Sequence, residues 1–119
     1  MAEILILDDV FDAVVLIGKI LKRQGHQVHT FTEEEQAIAF ARTQPVDLAI
    51  LDIKLKKMSG IQVLAELKKI VPAMRAIMLT GYPTIETARE ALRLGAGEYC
   101  VKPIDKKELE EKVARVLAA

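Results

Sequence analysis

Leu48-Ala49-Ile50-Leu51-Asp52, set between Pro45-Val46-Asp47 and Ile53-Lys54, is the stretch that decides how this chain folds. Four successive apolar residues with no polar alternation have the length of a strand, and they have the composition of one covered on both faces. The run closes on a carboxylate with no basic residue before it. Similar runs recur on either side, at Ile4 to Leu7, Gln27 to Phe31, Ala76 to Leu79 and Glu98 to Val101. Segments of helical period separate them. That alternation predicts an α/β domain with a parallel sheet and helices on both faces. Right-handed crossovers close it as a doubly wound sheet, whose ligands bind beyond the carboxyl ends of the strands.

The intervening segments carry apolar stripes and helix signals. Ala13, Ile17, Ile20 and Leu21 predict one buried stripe on a first helix, which Gly25 stops. Thr32 with Glu35 has the form of a capping box, so a second helix is expected from there to about Thr43, before Pro45. A third begins near Ser59, carries Ile61, Leu64 and Ala65, and ends at Pro72. Pro83 fits the first turn of a fourth, which carries Ile85, Ala88 and Leu92 and is capped by Gly95 after it. Asp105 and Glu108 open a fifth, with Leu109, Val113, Val116 and Leu117 inward.

The 119 residues suit one compact domain, residues 1–119, and 51% hydrophobic content is enough for a core. Lys plus Arg and Asp plus Glu both number 17, a balance that offers no field to draw in nucleic acid or an anionic membrane. Direct nucleic-acid binding is not expected. Cys100, the single cysteine, is expected to be buried and inert, as in a reduced intracellular protein. The chain shows no secretory leader, and no apolar run approaches the ~18 residues that span a bilayer, so the cytoplasm is the expected compartment and no membrane contact is foreseen.

At the carboxyl ends of four strands stand Asp8-Asp9, Asp52, Thr80-Gly81 and Lys102-Pro103. Three carboxylates converging on one edge repel, and a hard divalent cation is the natural neutraliser. Mg²⁺ fits best and Mn²⁺ is a second candidate, because such an ion accepts one or two carboxylates and keeps positions for water and phosphate oxygens. A carboxylate beside it can attack a phosphoryl donor in line to give an acyl phosphate. Lys102 then offers a point charge to one phosphoryl oxygen, Thr80 a hydroxyl to another, and Gly81 an accessible N–H.

This ordered set resembles the response-regulator receiver family of bacterial two-component systems over essentially the whole chain. The resemblance implies a flavodoxin-like (βα)5 fold, a five-stranded parallel sheet of order 2-1-3-4-5. It implies Asp52 as phosphoacceptor, Asp9 and Asp52 as direct metal ligands, Asp8 acting mainly through water, and the backbone carbonyl of Lys54 as a further ligand. It also implies Thr80 and Tyr99 as the switch pair, a cis bond between Lys102 and Pro103, and Lys54 and Tyr82 as residues that set how long the phosphoryl group survives. The implied partners are a sensor histidine kinase or histidine phosphotransfer protein, and an output domain or target at the face of the fourth helix, fifth strand and fifth helix. Arg89, Arg93, Glu98 and Lys107 are expected to be exposed on that face. A phosphorylation-dependent homodimer is a further candidate. The pattern departs from the family at Val10-Phe11, where an acid and proline are common, and at Lys56-Lys57, where proline-glycine is common. The second change bears on the loop after Asp52.

Each residue also has a plainer reading. Asp8-Asp9 could favour a helix N-terminus, Thr80 could be a turn residue, and Lys102 could be solvated. Tyr99 could be simple packing, and the lysines at 54, 56 and 57 a solvated loop. His26 and His29, away from the acidic edge, read as solvent or packing residues. Among other functions, a haloacid-dehalogenase-like phosphatase wants an acid where Lys54 stands. A flavodoxin-like electron carrier wants a phosphate loop where Asp8 and Asp9 stand. A receiver that only docks partners would ordinarily lack an acid, the threonine or the lysine, and none is missing. The stretch Leu79 to Ala88 resembles receivers joined to ATPase-type transcription activators, while the helix-terminated tail also suits a stand-alone regulator.

Overall fold

In the computed structural model, which describes residues 1–119, every apolar run is a strand. The order is β1 (Glu3–Leu7), α1 (Phe11–Arg23), β2 (Gln27–Phe31), α2 (Glu34–Thr43), β3 (Leu48–Asp52), α3 (Gly60–Ile70), β4 (Arg75–Thr80), α4 (Ile85–Arg93), β5 (Glu98–Val101) and α5 (Lys106–Ala118). All strand pairs are parallel, in the order β2-β1-β3-β4-β5. Leu7 pairs with Leu51, Leu51 with Met78, and Thr80 with Val101, so the carboxyl ends of four strands lie almost level.

The two-residue repeat of the strands divides the core in two. Leu5, Leu7, Ala49, Leu51, Ala76 and Met78 face Ala37, Val63, Leu64 and Leu67 of α2 and α3. Ile4, Ile6, Leu48, Ile50, Ile77 and Leu79 face Val14, Ile17 and Leu21 of α1 and Leu109, Val113 and Val116 of α5. β3 is buried at all five positions, as its unbroken run demands, whereas the edge strand β2 has no buried residue. Cover on both faces therefore holds for the central strands only.

Several helix expectations need correction. Thr32 and Glu35 form no capping box: α2 starts at Glu34 after Glu33, which gives no side-chain cap, and Glu34 turns inward. The capping box is at Ser59, whose hydroxyl accepts from Gln62 N–H while the Gln62 side chain accepts from Ser59 N–H. On α1, Val14, Ile17, Gly18 and Leu21 are buried, with Ala13 and Ile20 only half-buried. On α3, Val63, Leu64 and Leu67 are buried, with Ile61 and Ala65 half-buried. Pro83 lies before α4, whose cap is Thr84 accepting from Thr87 N–H. The large apolar residues that α4 carries do not enter the core: Ile85 and Leu92 are 72% and 62% exposed, and only Ala91 is buried. Small side chains let α4 approach the sheet, and the large ones point to solvent. Asp105 caps α5 as expected, and Gly25 and Gly95 take positive φ after their helices.

Candidate functional site

Asp8 follows β1, Asp52 ends β3, Thr80 ends β4 and Lys102 follows β5. The ladder continues past the strands, with Asp8 N–H donating to the Phe31 carbonyl (3.2 Å), Ile53 N–H to that of Leu79 (3.1 Å) and Lys102 N–H to that of Thr80 (2.8 Å). Main-chain bonding thus aims each side chain. Carboxylate oxygens of Asp8, Asp9 and Asp52 lie within 4.8 Å of one another, with Asp8 and Asp52 buried and Asp9 half-buried. The Lys102 Nζ is 2.6 Å from Asp8 Oδ2 and 3.5 Å from Asp52 Oδ2.

Three carboxylates and one ammonium leave negative charge in excess in a buried setting. Burial, then the charge of Asp8, pushes the Asp52 carboxyl above the usual range, although Lys102 opposes them. Burial alone would favour the neutral amine at Lys102, but its hydrogen bond to Asp8 and the charges of Asp52 and Asp8 raise it instead. Both Asp8 oxygens are engaged, Oδ1 by Val10 N–H at 2.9 Å and Oδ2 by Lys102. All-oxygen donors around a charge excess suit a hard divalent cation, so the three acids could hold a metal.

Beside the acids, the Thr80 hydroxyl accepts from Tyr82 N–H at 3.0 Å, which leaves its own proton free to donate. A Cβ at Gly81 would meet nothing, so this stretch of backbone is open to approach. The Lys54 ammonium sits 4.3 Å from the centroid of the exposed Tyr82 ring. The two line a cleft of about 300 Å³ with Lys57, Met58, Ser59 and Thr80. Lys56 is exposed. The Lys102-Pro103 bond is cis.

Tyr99 and Thr80 share one face of the sheet on neighbouring strands, for Met78 pairs with Tyr99 and Thr80 with Val101. They share no hydrogen bond. The Tyr99 hydroxyl instead accepts from Thr84 N–H (3.3 Å) and bonds the Thr87 hydroxyl (2.7 Å) at the start of α4. Of the charged residues expected on the neighbouring face, Glu98 is not free: it binds Lys112 and Arg115, each at 3.2 Å. Arg93 pairs with Glu90, while Arg89 and Lys107 are exposed.

His26 accepts from Ala2 N–H, and His29 pairs with Glu3 and packs on Phe40, all away from the acids. Cys100 is buried, and burial pushes its thiol up. No helix is long and apolar enough to cross a membrane. One buried residue escaped the sequence reading. Glu34 Oε2 accepts from the N–H groups of Lys57 (2.6 Å) and Met58 (2.9 Å) in the loop after Asp52. Within Glu33-Glu34-Glu35 nothing singles it out from a helix-entry acid.

Known proteins resemble this chain in sequence and fold. The family described as response regulator receiver domain matches residues 4–114. The transcriptional regulatory protein ZraR of Escherichia coli (strain K12) is 34% identical over 116 residues, which cover 98% of this chain and 26% of ZraR. The chain thus spans about a quarter of that relative. Sporulation initiation phosphotransferase F of Bacillus subtilis (strain 168) is 30% identical over 115 residues, 97% of this chain and 93% of that protein. The crystal structure of a CheY-like response regulator receiver domain protein from Methanospirillum hungatei JF-1 superposes with a TM-score of 0.96 at 32% identity. It covers 99% of this chain and 94% of that one.

Proposed function

This chain belongs to the response regulator receiver domain family, and from that premise we propose that it takes a phosphoryl group on Asp52 in a Mg²⁺-dependent reaction. The family's members accept phosphoryl groups in two-component signalling, and a phosphorylation-driven switch is their function. The observation that carries the assignment is the juxtaposition of buried Asp52 with Asp8, Asp9 and Lys102 at the carboxyl ends of three strands.

In this reading an Asp52 oxygen attacks phosphorus as the bond from phosphorus to the donor's leaving nitrogen breaks, and the departing imidazole takes up a proton. Lys102 and the Thr80 hydroxyl receive the phosphoryl oxygens, and the Gly81 backbone offers a third donor. Asp8, Asp9, Asp52 and the Lys54 carbonyl would hold Mg²⁺, with Mn²⁺ as the alternative, and the bound ion neutralises charge on the carboxylates and the phosphoryl group. Because both Asp8 oxygens are engaged, that residue suits contact through water.

The switch uses the chain's own hydrogen bonds. A phosphoryl oxygen that draws in the Thr80 hydroxyl disturbs its bond from Tyr82 N–H, and two residues on Thr84 is bonded to Tyr99. The β4–α4 loop therefore links Thr80 to Tyr99 and α4. Exposed Ile85 and Leu92 lie seven residues apart on one face of α4, and exposed Val101 is on β5. They support this surface as the contact for an output domain, a target protein or a second phosphorylated copy.

A sensor histidine kinase or histidine phosphotransfer protein is the donor that fits, and similarity to transcriptional regulators supports an output in transcription. Those partners work in the cytoplasm. The only catalysis the site needs is of its own phosphorylation and dephosphorylation. Incubation with phosphoramidate, with Mg²⁺ or with EDTA, followed by intact mass, tests the reading. One phosphoryl group gained only with Mg²⁺ is expected, and equal gain in EDTA, or none with Mg²⁺, would refute it. Amide shifts on adding beryllofluoride that stayed at the acids would refute the switch.

A further inference from the structure

Four polar or charged residues are buried in this chain: Asp8, Asp52, Thr80 and Glu34. The first three make the site. Glu34 comes from the first turn of α2, and it is only 3% exposed. Its Oε2 takes two backbone N–H groups, of Lys57 and Met58, from the loop that joins β3 to α3. A carboxylate in such a place is tolerated only with strong hydrogen bonds, and a helix N-terminus also favours its charge. Burial acts to raise its carboxyl, but the N–H groups of Met58, Glu34 itself and Lys57 outweigh that and hold it below the usual range.

The loop has few other hydrogen bonds to fix its path. Lys54, Lys56 and Lys57 are exposed, and Leu55 and Met58 are only half-buried. The Lys57–Glu35 ion pair, at 3.8 Å with both ends exposed, contributes little. Leu55 and Met58 rest against the core on the α2 and α3 side, and the remaining backbone hydrogen bonds are at the loop's ends, from Ile53 N–H to the Leu79 carbonyl and from Gly60 N–H to that of Ile53, beside the local Ser59-Gln62 cap. Glu34 alone grips the middle from another element by a buried side chain.

We propose that Glu34 is a positioning residue of the phosphoacceptor site, fixing through the Lys57 and Met58 amides the loop that presents the Lys54 carbonyl to the acids and the Lys54 ammonium to Tyr82. This rests on the reading of the acids as a Mg²⁺-dependent site. The loop holds no proline between Asp52 and Gly60, so no residue of its own fixes the backbone by a ring, and the Glu34 carboxylate ties it from α2.

Glu34→Ala and Glu34→Gln test it, with Val113→Ala, a truncation in α5 under the opposite face of the sheet, as the control for lost stability. Three quantities are read: hydrogen exchange of the Lys57 and Met58 amides without metal, the Mg²⁺ midpoint from amide shifts of Asp8 and Asp52, and the melting temperature. Glu34→Ala is expected to speed exchange at those two amides and to raise the Mg²⁺ midpoint roughly tenfold, the lower end for groups that orient a metal's ligands. Glu34→Gln keeps a neutral acceptor and should fall between, and it carries the test if the alanine variant does not fold. Val113→Ala should lower the melting temperature with the midpoint unchanged. Unchanged exchange, or a midpoint that moves no more than in Val113→Ala, overturns the proposal. A wild-type protein that takes up no Mg²⁺ overturns the reading of the site, and the positioning role with it.

Discussion

Replacing Asp52 by Asn should stabilise the protein in the absence of metal. The carboxylate oxygens of Asp8, Asp9 and Asp52 lie within 4.8 Å of one another, so at an effective dielectric of about 20 each pair repels by about 3.5 kcal/mol. The Lys102 ammonium, 3.5 Å from Asp52, returns about 4.7 kcal/mol on the same scale. Two repulsions against one attraction leave about 2 kcal/mol disfavouring the ionised Asp52, before the loss of its hydration is counted. Asparagine removes the charge and nearly keeps the volume, while Lys102 retains its closer partner Asp8 at 2.6 Å. At about 4 °C per kcal/mol for a domain of this size, the variant should melt about 8 °C higher in EDTA. Mg²⁺ should narrow or reverse that lead, because the ion stabilises the wild type in proportion to its binding and the variant has lost an anionic ligand. Thermal melts at pH 7 and low salt, in EDTA and then in Mg²⁺, read both effects. A variant that melts at or below the wild type in EDTA would refute the claim of an uncompensated acidic cluster.

Three further outcomes follow from individual contacts. A Cβ at Gly60 would run into the Asp52 carbonyl oxygen and Ile53 Cα, both backbone, so Gly60→Ala should cost about 3 kcal/mol in urea unfolding; a loss under about 1 kcal/mol would argue against this close approach. Glu34 has a lowered carboxyl, so its contribution is present above the ordinary glutamate range and is lost as pH falls through the folded-state value. Glu34→Gln should therefore be less stable by about 1–3 kcal/mol at neutral pH, with the gap closing in acid, and a gap that widened on acidification would reverse the sign. Tyr82→Ala, which removes the ring beneath the Lys54 ammonium, should speed loss of the phosphoryl group severalfold by opening the line of attack to water; decay in excess Mg²⁺ that is unchanged or slower would refute the blocking role.

The central strands were legible because each is a short apolar run closed by a polar residue, and β2 and β5 begin and end where the sequence places them, although β2, Gln-Val-His-Thr-Phe, is an edge strand of mixed polarity. The acids and Thr80 were legible for a related reason: a polar residue at the end of a buried strand has few places to go except the sheet edge, whereas Lys102 follows the edge strand β5 and was legible only by its place in the ordered set. Helix detail was harder. Ile85, Ala88 and Leu92 have helical spacing on α4, but periodicity does not tell a face packed on the sheet from one left to solvent, and here Ala91 is the residue that packs. Thr32 and Glu35 have capping spacing, yet Glu34 finds two N–H donors in a loop more than twenty residues away. No local pattern could announce that partnership. Likewise, the bonds from Tyr99 to Thr84 and Thr87 depend on how α4 sits beside β5, which spacing along the chain does not encode.

The central claim is that one side chain takes the phosphoryl group. Treating the protein with phosphoramidate and Mg²⁺, then reducing the acyl phosphate with borohydride, converts the modified aspartate to homoserine, and peptide mass analysis locates the conversion. Conversion at residue 52 alone is expected. Conversion at Asp8 or Asp9, or a phosphoryl group retained on another side chain with Asp52 unmodified, would contradict the account.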